Sequence, residues 1–153
     1  MHAERIFIAG NGRTGLQMKA FAMRLMHLDL TVHVIGEVTA PGLKPEDLLV
    51  IGSSSGNSES LAAYARKAKA VGAPIAALTA NRESAVAQAA GTHVYLPVSP
   101  RQVDGSGETR KFLPLGGLFE NALGTVLDVI ILLLMEKLEI AEKEMAVRHT
   151  NLE

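Results

Sequence analysis

Short apolar runs alternate with amphipathic stretches along most of the chain. Residues 5–9 (RIFIA), 31–35 (TVHVI), 48–52 (LLVIG), 74–79 (PIAALT) and 92–97 (THVYLP) are aliphatic or β-branched runs bounded by Gly, Pro or Ser. Runs of this kind predict strands buried on both faces. Residues 15–27, 58–71 and 84–90, which lie between them, predict helices. In 58–71, Leu61, Ala62, Ala65, Ala68 and Val71 share one face, while Arg66, Lys67 and Lys69 point to water. Strands alternating with helices predict a parallel sheet covered on both faces, an α/β fold. Ligands of such a sheet bind at its carboxyl edge, where each strand turns into a helix.

A last helix is expected over residues 118–145. Its centre, Ala122 to Met135, reads ALGTVLDVIILLLM. That run is about fourteen residues long with Asp128 inside, short of the roughly twenty needed to span a bilayer. A helix apolar on all sides is buried against more than one neighbour, so it reads as core plus subunit interface rather than a membrane segment. Residues 101–111 (RQVDGSGETRK) are the one long polar stretch and read as a connecting loop. The charged tail, 142–153, is expected to fray.

The length of 153 residues suits a single domain over 1–153. With two Tyr, four Phe and no Trp, the core must be aliphatic. A net charge of −1 with mixed signs gives no electrostatic case for nucleic acid. The chain has no Cys, which removes disulfide and thiol chemistry and agrees with a cytoplasmic location. The N-terminal residues do not read as a secretory leader. His2, His33, His93 and His149 show no metal-ligand spacing, so no metal is expected.

Two strand-to-helix turns carry candidate chemistry. GNGRTG, residues 10–15, has G-x-G-x-x-G spacing after a strand. Glu37 lies past the second strand, where a dinucleotide fold places its ribose ligand. The same turn could instead grip a phosphate with Arg13 and Thr14, or be a tight glycine turn with no ligand. The second turn, Gly52-Ser53-Ser54-Ser55-Gly56-Asn57-Ser58, clusters four hydroxyls at a helix N-terminus. Unpaired N–H groups and the helix dipole favour an anion there. Capping the helix needs one serine, so the loop reads as an anion site. A dinucleotide fold has no requirement for it.

Ser53-Ser54-Ser55-Gly56-Asn57-Ser58 resembles the phosphosugar loop, S-x-S-G-x-S/T, of the sugar isomerase (SIS) domain family. RIFIAGNGRTG (5–15), KAFAMRLMHL (19–28), VIGEVTAPGLKPEDLLVIGSSSG (34–56), ALTANRESAVAQAA (77–90) and PLGGLFENALGTVLDVIILLLMEKL (114–138) extend the resemblance over most of the chain. It points to the branch that isomerises hex-3-ulose 6-phosphates. The resemblance implies a three-layer, flavodoxin-like fold with a five-stranded parallel sheet. It also implies a homotetramer, a dimer of dimers, with active sites shared between subunits. The implied reaction interconverts D-arabino-hex-3-ulose 6-phosphate and fructose 6-phosphate through an enediol, with no cofactor or metal. It would follow the condensation of formaldehyde with ribulose 5-phosphate, as in the ribulose monophosphate pathway. The chain departs from the family at Ser54, usually Gly, and at Asn57-Ser58, usually Glu-Thr. Family members also usually carry an additional helix ahead of the first strand.

The resemblance assigns the roles. Glu120, at the start of the last helix, is the expected base, although an acid there also suits the helix dipole. His27, at the end of the first helix, is a second proton-transfer candidate acting across a subunit interface; alone it would read as a helix C-terminal histidine. Gly12, Arg13, Thr14, Ser53, Ser55 and Ser58 form the expected phosphate site, with Arg13 neutralising phosphate or enediolate. Thr39 and Asn81 lie past strands near the same edge, Asn81 more as a turn residue. Besides an isomerase acting on another phosphosugar, two other functions compete. A phosphosugar sensor would keep the serines and need no proton shuttle. A nucleotide-binding redox domain would use Glu37 and leave the serines idle.

Overall fold

The computed structural model describes residues 3–98, 102–103, 109–110 and 117–152. Five strands, β1 (Ile6–Ala9), β2 (Val32–Val34), β3 (Leu48–Ser53), β4 (Ile75–Thr79) and β5 (Thr92–Tyr95), form one sheet in the order β2-β1-β3-β4-β5. Every neighbouring pair is parallel, with Ile6 opposite both Val32 and Leu48. Helices α1 (Gly12–His27), α2 (Glu59–Val71) and α3 (Ala85–Ala89) connect or follow the strands as the apolar periodicity predicts. β6 (Gln102–Val103) and β7 (Thr109–Arg110) pair antiparallel within the stretch expected to be a plain connector. The rest of that stretch lies outside the described residues.

The strand pleat sorts the apolar residues into two cores. Ile8, Val50 and Leu78 face α1 and the long helix α4 (Gly117–Leu138), where Met18, Phe21, Leu25, Phe119, Leu123 and Leu127 meet them. Phe7, Leu49, Ile51 and Ala77 face α2 and α3, against Leu61, Ala65, Ala68 and Val86. Each inner strand is thus apolar at consecutive positions because it is covered on both sides. The arrangement is the flavodoxin-like α/β sheet implied by the resemblance.

α4 has 22 residues and is long and apolar enough to cross a membrane by length and composition, longer than its apolar centre suggested. Here one stripe of it, Phe119, Leu123, Leu127 and Ile131, packs into the core. The opposite stripe is bare: Leu132 is 63% and Leu133 58% exposed.

The expected single helix over 118–145 is corrected to two. Glu139 takes φ 56, and the N–H of Ile140 bonds the carbonyl of Met135, closing α4 in a left-handed turn. A short helix α5 (Glu142–Val147) then begins, with the N–H of Ala141 donating to Glu144 Oε2 at 2.9 Å. Nor is the tail frayed throughout. Met145 is buried with the α1–α4 core, and Arg148 donates to the carbonyl of His27 at 3.2 Å while pairing with Asp29 at 3.3 Å.

The β2-to-β3 connection contains no helix and is fastened by charge. Asp47, fully buried, accepts from Arg5 Nε at 2.9 Å, from Arg5 Nη2 at 2.7 Å and from the N–H of Lys44 at 2.7 Å. The Arg5 hydrogen bonds hold the Asp47 carboxyl below the usual carboxylate range, against the opposing push of burial. A depressed carboxyl adds stability above the unfolded-state pKa and loses it as pH falls through the folded value. Asp47→Asn should therefore cost about 3 kcal/mol at pH 7. Its deficit relative to the parent should shrink as pH falls below the carboxylate range, which urea melts across pH 3–7 would read.

Candidate active site

The carboxyl ends of β1, β3 and β4 deliver three turns to one edge of the sheet, and the N-terminus of α4 carries Glu120 to the turn after β1. The turn after β1 is built for close packing. Gly12 adopts φ 55, and a side chain on Gly15 would collide with the carbonyl of Gly10. The G-x-G-x-x-G spacing thus follows from how tightly α1 leaves the sheet.

The serine loop is braced from within. The Oγ of Ser53, itself buried, accepts from the N–H of Gly56 at 3.1 Å. Ser55 is exposed, and its Oγ accepts from the N–H of Asn57 at 3.3 Å. Gly56 has φ 63 and lies against Ser84 and Thr79, so a Cβ there would strike the Ser84 hydroxyl. Asn57 departs from the family's glutamate and has a structural partner: its Oδ1 accepts from the N–H of Ala85 at 3.1 Å, tying the loop to α3. Ser58 is the N-cap of α2, yet its side chain makes no capping hydrogen bond. The capping interpretation of the serines therefore fails at Ser58.

Glu120 is nearly buried in the first turn of α4. Its Oε2 lies 3.0 Å from Nε of Arg13, whose side chain is 56% exposed. The pair meets at ion-pair distance without hydrogen-bond alignment, and Oε2 accepts no hydrogen bond among the described residues. The carboxylate therefore retains acceptor capacity toward a proton donor, while the cation beside it can turn outward. Thr14, half-buried, sits in the same helical turn as Arg13.

His27 does not join this group within the chain. It ends α1, about 21 Å along the helix from Arg13 at 1.5 Å per residue. It is buried beside Arg24, with its ring stacked on His149 at 5.4 Å between centroids. Burial, then Arg24 and His149, lowers its pKa and favours the neutral ring. With Asp128, Met135, Glu142 and Met145 it lines a surface cavity of about 550 Å³.

Glu37 does not meet GNGRTG either. It lines a groove of about 410 Å³ with Phe7, Tyr64 and Lys67 that none of residues 10–15 touches, which leaves a dinucleotide without its ribose ligand at the glycine turn. Thr39 is exposed in the turn after β2. Asn81 braces its own turn, accepting from the N–H of Glu83 at 3.0 Å and donating to the carbonyl of Ser55 at 3.3 Å. Among the described residues, no three His, Asp or Glu side chains gather as a metal site. Sequence reasoning passed over Asn11. Its Nδ2 donates to Ser58 Oγ at 2.8 Å and to Ser60 Oγ at 2.9 Å, joining the two turns. Its place as an amide in a glycine turn facing a serine loop was the available signal.

Comparison with known proteins places this edge in context. The SIS domain family matches residues 1–114. The chain belongs to the SIS domain family. A 3-hexulose-6-phosphate isomerase from Bacillus subtilis (strain 168) is 42% identical over 100% of this SIS chain and 82% of its own length. Another from Mycobacterium gastri is 40% identical over 97% of this chain and 74% of its own. A crystal structure from Methanococcus jannaschii, described as inferring a 3-hexulose-6-phosphate isomerase function, matches with a TM-score of 0.87. Its identity is 36%, over 99% of this chain and 80% of that one.

The SIS loop needs glycine at position 56. Gly56→Ala must combine a positive φ with a clash against Ser84, and should cost about 2 kcal/mol. A thermal melt lowered by several degrees would bear this out; an unchanged melt would mean that the loop relaxes freely.

Proposed function

We infer that this chain is a 3-hexulose-6-phosphate isomerase, interconverting D-arabino-hex-3-ulose 6-phosphate and fructose 6-phosphate. The full-length similarity to enzymes of that name supports the assignment. One observation carries the mechanism: the nearly buried Glu120 carboxylate held beside Arg13, in the same turn region that meets the serine loop.

Moving the carbonyl from C3 to C2 requires taking a proton from C2 and returning one to C3. Glu120 removes the C2 proton, giving a cis-enediolate. It then delivers a proton to C3, while the hydroxyl proton at C2 is lost and the C3 oxygen gains one. A carboxylate that accepts few other hydrogen bonds suits this shuttle. Arg13 leaves the carboxylate as the anionic substrate enters and neutralises phosphate or enediolate. Ser53, Ser55 and Ser58, with Gly12, Arg13 and Thr14, cradle the phosphate. Ser53 already accepts one loop N–H, which leaves its hydroxyl hydrogen to donate to the phosphate.

His27 reaches the reaction only from a second copy, since α1 holds it far from Glu120 in its own chain. The bare stripe of α4 supports a homotetramer, a dimer of dimers, with sites shared between subunits. The substrate comes from condensation of formaldehyde with ribulose 5-phosphate. A charged phosphosugar crosses membranes poorly, which fits a cytoplasmic enzyme.

Two variants separate the roles. Glu120→Gln should lower kcat by about 100-fold or more with KM nearly unchanged. Ser58→Ala should raise KM by about 5–10-fold with kcat nearly kept. Production of fructose 6-phosphate in a coupled assay reads both. Full turnover by Glu120→Gln would remove Glu120 as the base, and an inert parent that binds phosphosugar would point to a sensor.

A further inference from the structure

Asn11 and Ser58 are the N-cap residues of α1 and α2, and neither side chain caps its helix. Asparagine and serine are among the best N-caps, accepting a hydrogen bond from the second or third N–H of the helix. Ser84 does this at α3, accepting from the N–H of Ala87 at 3.2 Å. The caps are withheld at the two helices that flank the serine loop. The two residues bond to each other instead, Asn11 Nδ2 to Ser58 Oγ at 2.8 Å. The second amide hydrogen of Asn11 goes to Ser60 Oγ at 2.9 Å.

The bridge has a chemical consequence. Asn11 supplies two donors and fills an acceptor position on each hydroxyl. Each serine keeps its own hydrogen. The two Oγ atoms are 3.2 Å apart, so one hydrogen can pass between them and the other is left to donate outward. The first-turn N–H groups of both helices also remain without a side-chain acceptor from either cap. Donors from two helix N-termini are thereby locked side by side at their positive dipole ends, with Glu59 the acid in the first turn of α2 and none in that of α1.

We propose that Asn11 is a positioning residue for the substrate phosphate: it clamps the two uncapped helix N-termini together and turns the Ser58–Ser60 hydroxyl pair into an outward donor. The phosphate then serves as the cap that both helices lack. The proposal rests on the phosphosugar reading of this edge and adds Ser60, which the S-x-S-G-x-S/T motif does not include, to the cradle.

Asn11→Ala and Asn11→Asp test it together. Aspartate keeps the size of asparagine and is as good an N-cap, so it preserves a merely structural bridge by accepting the serine hydrogens. It would consume the outward donor and place a negative charge beside the phosphate. The expected result is a rise in KM of about tenfold for Asn11→Ala, with kcat within about twofold of the parent. Asn11→Asp should raise KM further while its thermal melt matches the parent. Calorimetry with inorganic phosphate should show the same order of weakening. Rescue of KM and phosphate affinity by Asn11→Asp would overturn the proposal, as would unchanged phosphate binding in Asn11→Ala. A parent that binds phosphate Asn11-dependently but forms no fructose 6-phosphate would overturn the isomerase assignment alone.

Discussion

The contact between Arg13 and Glu120 exists because α1 and α4 lie side by side on one face of a parallel sheet. Phe119 and Leu123 from the first turns of α4 pack with Met18 and Phe21 of α1, above Ile8 and Val50. That packing fixes where α4 begins and so brings its first-turn acid to the turn after β1. A surface ion pair adds little to stability. Here most of the order comes from aliphatic burial, and the ion pair takes its position from the core. Among the described residues the carboxylate is shielded and has the half-exposed Arg13 as its cationic neighbour, which suits the proton shuttle proposed for it.

Features that favour function are set against local stability at this edge. Two helices forgo good caps, a positive φ is held at Gly12 and Gly56, and a nearly buried carboxylate oxygen lacks an aligned donor among the described residues. The compensation lies elsewhere, in the doubly covered inner strands and the buried Asp47 carboxylate paired with the partly buried Arg5 in the connection between β2 and β3. Such a division is common in enzymes, where local rules break at the site and hold around it.

The inner strands were legible because a strand covered on both faces must be apolar at consecutive positions, as in 48–52 or 74–79. The edge strands β2 and β5 also form, but β2 is half-buried and β5 exposed where their apolar runs predict burial. The serine turn was legible because four hydroxyls exceed what one helix cap uses. Other features depend on contacts between distant segments. The Asn11–Ser58 contact depends on the register of β1 against β3, in which Ala9 pairs with Ile51 and the following turns emerge together. Glu37 has the spacing of a ribose ligand, but β2 turns it toward a different groove. The break after α4 occurs at Glu139, a residue that gives no glycine signal for a left-handed turn. The ordered tail follows from Met145 finding the core, which local charge concealed.

Proton transfer through a carboxylate leaves an isotopic record. Hex-3-ulose 6-phosphate can be converted by the purified chain in D2O and the fructose 6-phosphate examined by NMR. Exchange of the Glu120 proton with solvent during the enediolate's lifetime predicts deuterium at C3, with turnover strongly lowered when Glu120 is replaced by Gln. Complete retention of protium at C3 together with undiminished turnover by Glu120→Gln would contradict a carboxylate shuttle through Glu120.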